Sequence, residues 1–146
     1  MHQRGNDFLE KLWANLHGGS THFPIAMMIA SFLFDFAAFA WNREPLKRDL
    51  HSAGFFALLL GAAATFVSVL SGLAISAWQF FGSGTLSKHH DFVWPAFGLM
   101  IALAVWRVVV RNDAIRPAFG VYLACAALTA VLMGAAGYWG GELMGS

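Results

Sequence analysis

Four long apolar runs, at about 23–41, 53–81, 92–110 and 115–144, limit what this chain can fold into. Each reaches the ~20 residues that a helix needs to cross ~30 Å of hydrocarbon. Lipid admits only helices or closed barrels, because every backbone N–H and C=O must find a partner without water. The runs lack the two-residue alternation of a barrel strand. The links between them are short and polar, which sets neighbouring helices antiparallel. The expected fold is all-α: an integral membrane four-helix up-down bundle. Composition agrees, since 12% of the residues are charged, against about 25% in a soluble domain. One domain is expected over residues 1–146.

Local signals refine the runs. Pro24, Pro95 and Pro117 fall near the heads of three of them, where a missing N–H costs least. Thr21 and Asp91 read as N-caps. A third helix starting near Ser87 instead would carry Pro95 as a kink. Ahead of the first run, "NDFLEKLWANLH" spaces Phe8, Leu9, Leu12, Trp13 and Leu16 helically, with Asp7, Glu10, Lys11 and Asn15 opposite. That pattern reads as a short N-terminal interfacial helix, or equally as a cap on the bundle. The first 22 residues lack a compact apolar core, so no cleavable signal is expected. Cys125, the single cysteine, reads as a small buried residue.

Several function classes fall away. The net charge is +1 and no basic cluster appears, so no nucleic-acid partner is expected. No phosphate-binding glycine loop and no serine or cysteine nucleophile constellation is visible. A non-catalytic role fits better than an enzyme.

The flanking cations set an orientation. Arg43, Lys47, Arg48, Arg107, Arg111 and Arg116 lie at one end of the threaded bundle, and Arg4, Lys11 and Lys88 at the other. The richer end is expected in the cytoplasm, with both termini outside. His17, His22, His89, His90 and Glu142 then gather at the outer end, with Trp78 at the same level and His51 alone at the inner one.

Imidazole is a strong ligand for haem iron, copper and zinc, and facing helices of a bundle can supply such ligands. Two histidines on different helices can clamp a haem from both faces, which favours electron transfer. His22 and His90 are the expected axial pair, with His89 in reserve. Gly134, Gly137, Gly140 and Gly141 remove bulk at the same depth. The bland alternatives are solvated rim histidines or a bare metal ion on His22, His89, His90 and Glu142, although no tight spacing such as H-x-x-x-H is present. In the second run Gly54, Ala57, Gly61, Thr65, Ser68 and Gly72 form a small-residue stripe, the ordinary mark of close helix packing.

Asp35 is a carboxylate inside a span, which is costly and normally turned to the bundle interior or a partner. Ser31 and Asn42 share its face, whereas His22 sits about 140° away around the helix. His51 is in reach as a hydrogen-bonded partner. The alternatives are a proton or quinone site and a structural polar clamp.

Taken together, "HFPIAMMIASFLFDF", "SGLAISAW", "HDFVWPAFGLMIALAVWR" and the closing "GYWGGEL" resemble the bacterial four-span membrane family catalogued as domain of unknown function two-two-three-one. The likeness runs from about Leu16 to Leu143 and maps onto His17, His22, Phe23, Pro24, Asp35, Gly72, His90, Gly140, Gly141 and Glu142. Two departures stand out. His17 is followed by Gly18 where family members commonly have proline, and the chain stops at "MGS" where they often continue with tyrosine and histidine. The resemblance implies a multi-pass protein of the bacterial inner membrane, with haem binding among the roles considered for such chains. The leading expectation is a haem b protein, a small b-type cytochrome or haem-bearing subunit, passing electrons between a periplasmic redox partner and the quinone pool. The others are a cofactor-free accessory subunit, packed in a larger complex or a homo-oligomer, and a metal- or solute-handling protein.

Overall fold

The computed structural model describes residues 2–111 and 115–145, with side chains described over residues 11–111 and 115–143. The side chains of Asp7, Phe8, Leu9 and Glu10, part of the expected amphipathic pattern, and of the flanking cation Arg4 lie outside the described residues. Four helices follow one another: α1 (His2–Ala40), α2 (Leu46–Ile75), α3 (Thr85–Val110) and α4 (Arg116–Gly145). All four are long and apolar enough to cross a membrane. No strand is present among the described residues.

α1 differs most from expectation. It runs unbroken for 39 residues, through Gly18, Gly19 and Pro24, so no separate interfacial helix precedes the first span. Thr21 is inside the helix and not its cap. Local propensity favours a break here, but α2 supplies the compensation. Pro24 has no N–H for the carbonyl of Ser20, and Ser68 Oγ donates to that carbonyl at 3.1 Å. A neighbouring helix thus satisfies the group that proline frees, as lipid requires.

The other boundaries also shift. α2 starts seven residues before 53 and ends at Ile75 rather than 81. A loop follows with Ala77, Trp78, Gly82 and Gly84 in the left-handed region, conformations that favour glycine and turn the chain sharply. α3 starts at Thr85, so Asp91 and Pro95 are interior and neither caps nor heads the helix. Pro117 alone holds the expected place, at the second position of α4, where its missing N–H is an orphan anyway.

The helices form a ring in which each packs on its chain neighbours and α4 closes on α1. The α1–α2 seam is the closest and the α2–α3 seam the loosest. The small-residue stripe of α2 makes the tight seam. A Cβ on Gly54 would meet the Asp35 carboxylate at 2.7 Å, one on Gly61 would sit 3.0 Å from Met27, and one on Gly72 would sit 2.9 Å from the His17 ring. The diagonal pairs α1/α3 and α2/α4 do not approach among the described residues. The core between them is filled by Met28, Leu58, Met100, Leu103 and Tyr122, with Ala126 and Met133. The outer faces keep large apolar side chains exposed, such as Phe36, Phe56, Leu60 and Val131, as a lipid-facing surface should.

Candidate functional site

The antiparallel ring stacks two polar layers, one near each end of the bundle, named inner and outer after the orientation expected from the flanking cations. The inner-end layer, between the α1–α2 link and the start of α4, centres on Asp35, whose side chain is fully buried. Arg107 Nη2 donates to Asp35 Oδ1 at 2.7 Å, and Tyr122 Oη donates to Oδ2 at 2.7 Å. His51 Nδ1 lies 3.3 Å from Oδ1. Arg107 also donates to the carbonyls of His51 and Arg111, each at 3.0 Å. Ser31 Oγ donates to the Gly54 carbonyl at 2.8 Å. One side chain from each helix therefore meets at a single carboxylate, and Arg107 spans the open diagonal from α3 to α1.

Sequence reasoning places Arg107 among the flanking cations. Instead it is 1% exposed and belongs to the interior, so the inner end keeps five flanking cations, Arg43, Lys47, Arg48, Arg111 and Arg116. Asn42 lies beyond the end of α1 and is exposed, so it does not share this face. Tyr122 gives no signal as a polar residue, because it stands in an apolar run. Depth is the signal that finds both. Counted from the helix ends, Asp35, His51, Arg107 and Tyr122 all fall within about two turns of the same boundary.

The outer-end layer surrounds a groove of about 450 Å³ lined by all four helices, within the range of small-molecule and cofactor sites. His17, His22, His89 and His90 line it, with Gly72, Gly137, Gly140 and Gly141 among the small residues and Ile25, Val93 and Phe97 among the apolar ones. His17 Nδ1 is 3.0 Å from the Ser68 carbonyl and 3.3 Å from Ser71 Oγ. His89 Nδ1 is 2.8 Å from the Ala136 carbonyl. A carbonyl only accepts, so each Nδ1 carries the proton and each Nε2 keeps its lone pair. Histidine ligands of metals are typically held this way, by a second hydrogen bond that fixes the tautomer.

The remaining candidates are placed as follows. His22 lines the groove but is exposed. His90 is 7% exposed, its Nδ1 has no partner among the described residues, and its ring lies against Trp94, with centroids 5.8 Å apart. Gly137 and Gly141 line the groove, and Gly141 faces open space. Gly134 does not line it. Glu142 is exposed and does not line the groove, although its neighbours Gly141 and Leu143 do. No group of three or more metal-ligating side chains occurs among the described residues. Cys125 is a free, half-buried thiol.

The described residues thus offer two imidazoles of fixed tautomer beside an apolar groove, and no cluster of three ligands for a bare ion. His17 on α1 and His89 on α3 both line the groove, on the two helices of the open diagonal. Gly137, Gly140 and Gly141 thin the α4 wall between Met133, Ala136 and Leu143. No curated protein and no solved structure matches the chain. A family model described as "Predicted membrane protein (DUF2231)" matches residues 14–146, and the chain belongs to that family.

Proposed function

We propose that the outer-end groove is the site of one haem b, which His17 and His89 would hold, and that the protein is a membrane electron carrier. The observation that carries the reading is the matched pair of imidazoles on diagonal helices, each with Nδ1 tied to a backbone carbonyl. This pairing is favoured over His22 with His90 because His22 is exposed and has no such anchoring bond.

When bound, a haem held by two imidazoles would supply one-electron exchange. The chain's own part is positional. The Ser68 and Ala136 carbonyls hold the two rings in one tautomer and raise the basicity of Nε2. Ile25, Val93 and Phe97 keep water from the slot, which lowers the local dielectric and so tunes the potential. His90 closes the α3 side beside Trp94. The five flanking cations at the opposite end support placing that end in the cytoplasm of a bacterial inner membrane. The groove then lies near the periplasmic surface, within reach of a redox partner there and of quinone in the bilayer.

The test is the absorbance spectrum of the full chain, purified in mild detergent from haem-replete cells. The expected protein is red, with a Soret band that sharpens on reduction. His17→Ala and His89→Ala each lose the low-spin spectrum, and His22→Ala keeps it. A colourless protein, or one whose spectrum survives both substitutions, overturns the reading.

A further inference from the structure

The inner end carries a second hollow that the haem reading does not use. A cleft of about 520 Å³ opens where the α1–α2 link, the start of α2, the end of α3 and the start of α4 meet. Lys47, Arg48, Arg111 and Arg116 line it, and Glu44 is the one carboxylate among its described lining. None of these four cations is ion-paired to a carboxylate among the described residues. Asp113, two residues after Arg111 in the chain, lies outside them. Arg107 and His51 form the floor. The Arg107 side chain is 1% exposed, and its Nε is buried with no partner among the described residues.

Converging guanidinium and ammonium groups select phosphate, whose oxygens accept several charge-assisted hydrogen bonds at once. The cleft sits at the polar end of four membrane-spanning helices, the depth of lipid headgroups. Trp41, two residues after the lining Phe39, is 47% exposed at the end of α1, as an interfacial aromatic is. Leu46, Val109 and Ile115 lie within two residues of lining positions in the chain and are exposed, the last two by 76% and 71%, apolar surface of the kind that acyl chains cover. Basic pockets between transmembrane helices take anionic headgroups for these reasons.

We infer that this cleft binds the phosphate of an anionic phospholipid headgroup, on Arg48, Arg111 and Arg116, with the acyl chains running down the adjoining lipid-facing helices. The site is independent of the haem groove.

The test is thermal unfolding of the full chain in uncharged detergent. It is titrated separately with phosphatidylglycerol, phosphatidylcholine and inorganic phosphate, and native mass spectrometry counts retained lipid. Phosphatidylglycerol raises the midpoint saturably and is retained at one per chain, while the other two leave the midpoint unchanged. Arg111→Gln/Arg116→Gln, and separately Arg48→Gln, weaken the effect by about tenfold or more, as loss of charge-assisted bonds requires. Arg43→Gln, at the same end but outside the cleft, weakens it by less than about twofold, as expected of a screened surface charge. These arginines are exposed, so the variants melt like the parent without lipid. The inference is overturned if phosphatidylcholine stabilises equally, if inorganic phosphate does, which makes the site one for soluble anions, or if Arg43→Gln costs as much as the cleft variants.

Discussion

Asp35 is the costliest residue in the chain, and its neighbours explain how it is tolerated. A carboxylate inside a span is stable only where paired and fully hydrogen-bonded, and both of its oxygens are taken by Arg107 and Tyr122. Removing one partner strands the other. Arg107→Met is therefore expected to destabilise the protein by about 3–5 kcal/mol. Asp35→Leu/Arg107→Met, which removes both charges, recovers most of that loss. Tyr122→Phe, which deletes a hydrogen bond to a charged acceptor, costs about 1.5–3 kcal/mol. Thermal unfolding of the four proteins in one detergent checks the pattern, and a double variant no more stable than Arg107→Met alone refutes it. Asp35 and His51 are legible in the sequence because polar residues in apolar runs stand out. Arg107 is not, because a cation near a run's end looks the same whether it snorkels to water or turns inward. Side-chain direction around α3, which the sequence alone leaves open, makes the difference.

Helix boundaries show where sequence patterns lose their meaning in lipid. In water, glycine pairs and prolines end helices, and the reading of Thr21 and Asp91 as caps rests on that rule. In a bilayer, an interrupted backbone needs partners that are scarce, so α1 and α3 continue through Pro24 and Pro95. Ser68 Oγ on the Ser20 carbonyl is the device in α1. Ser68→Ala is expected to cost about 0.6–1.7 kcal/mol, the range for hydrogen bonds between membrane helices. In a Pro24→Ala background the restored N–H takes over the carbonyl, so the same substitution costs measurably less there. Equal costs in both backgrounds, from melting midpoints in a double-mutant cycle, would remove Ser68 from this role. The small-residue stripe of α2 is legible as a seam, although which glycines lie under the greatest constraint is not. Gly54→Ala drives a methyl into the Asp35 carboxylate and is expected to cost about 1–3 kcal/mol by overpacking. Gly120→Ala meets nothing within 4 Å, so the same melts should show it neutral, or stabilising by up to about 1 kcal/mol from reduced backbone freedom in the unfolded chain.

Across the bundle, the α1–α3 diagonal is treated in opposite ways at its two ends. At the inner end Arg107 bridges it to Asp35 and the core closes. At the outer end His17 and His89 stand on either side of it and the core stays open. Four antiparallel helices of similar length need no such hollow, since apolar side chains fill a bundle readily. The glycines along the wall of α4 preserve it. The four-span count and the gathering of histidines follow from hydropathy and threading, which is why both are legible early. The roles within the cluster depend on which Nδ1 meets a carbonyl, a property of helix rotation that spacing does not encode. The hollow itself can be tested apart from its ligands. Gly141 lines the groove and a Cβ there meets nothing within 4 Å, so Gly141→Leu adds bulk at the groove from an unobstructed backbone position. The variant is expected to melt within about 1 kcal/mol of the parent, since its Cβ displaces no packed atom. It should also lose the Soret band, because the slot no longer admits a flat ring. Absorbance and melting of the same sample read both. A Gly141→Leu protein that stays red with unchanged spectrum puts the cofactor outside this groove, even if His17 and His89 prove necessary for colour.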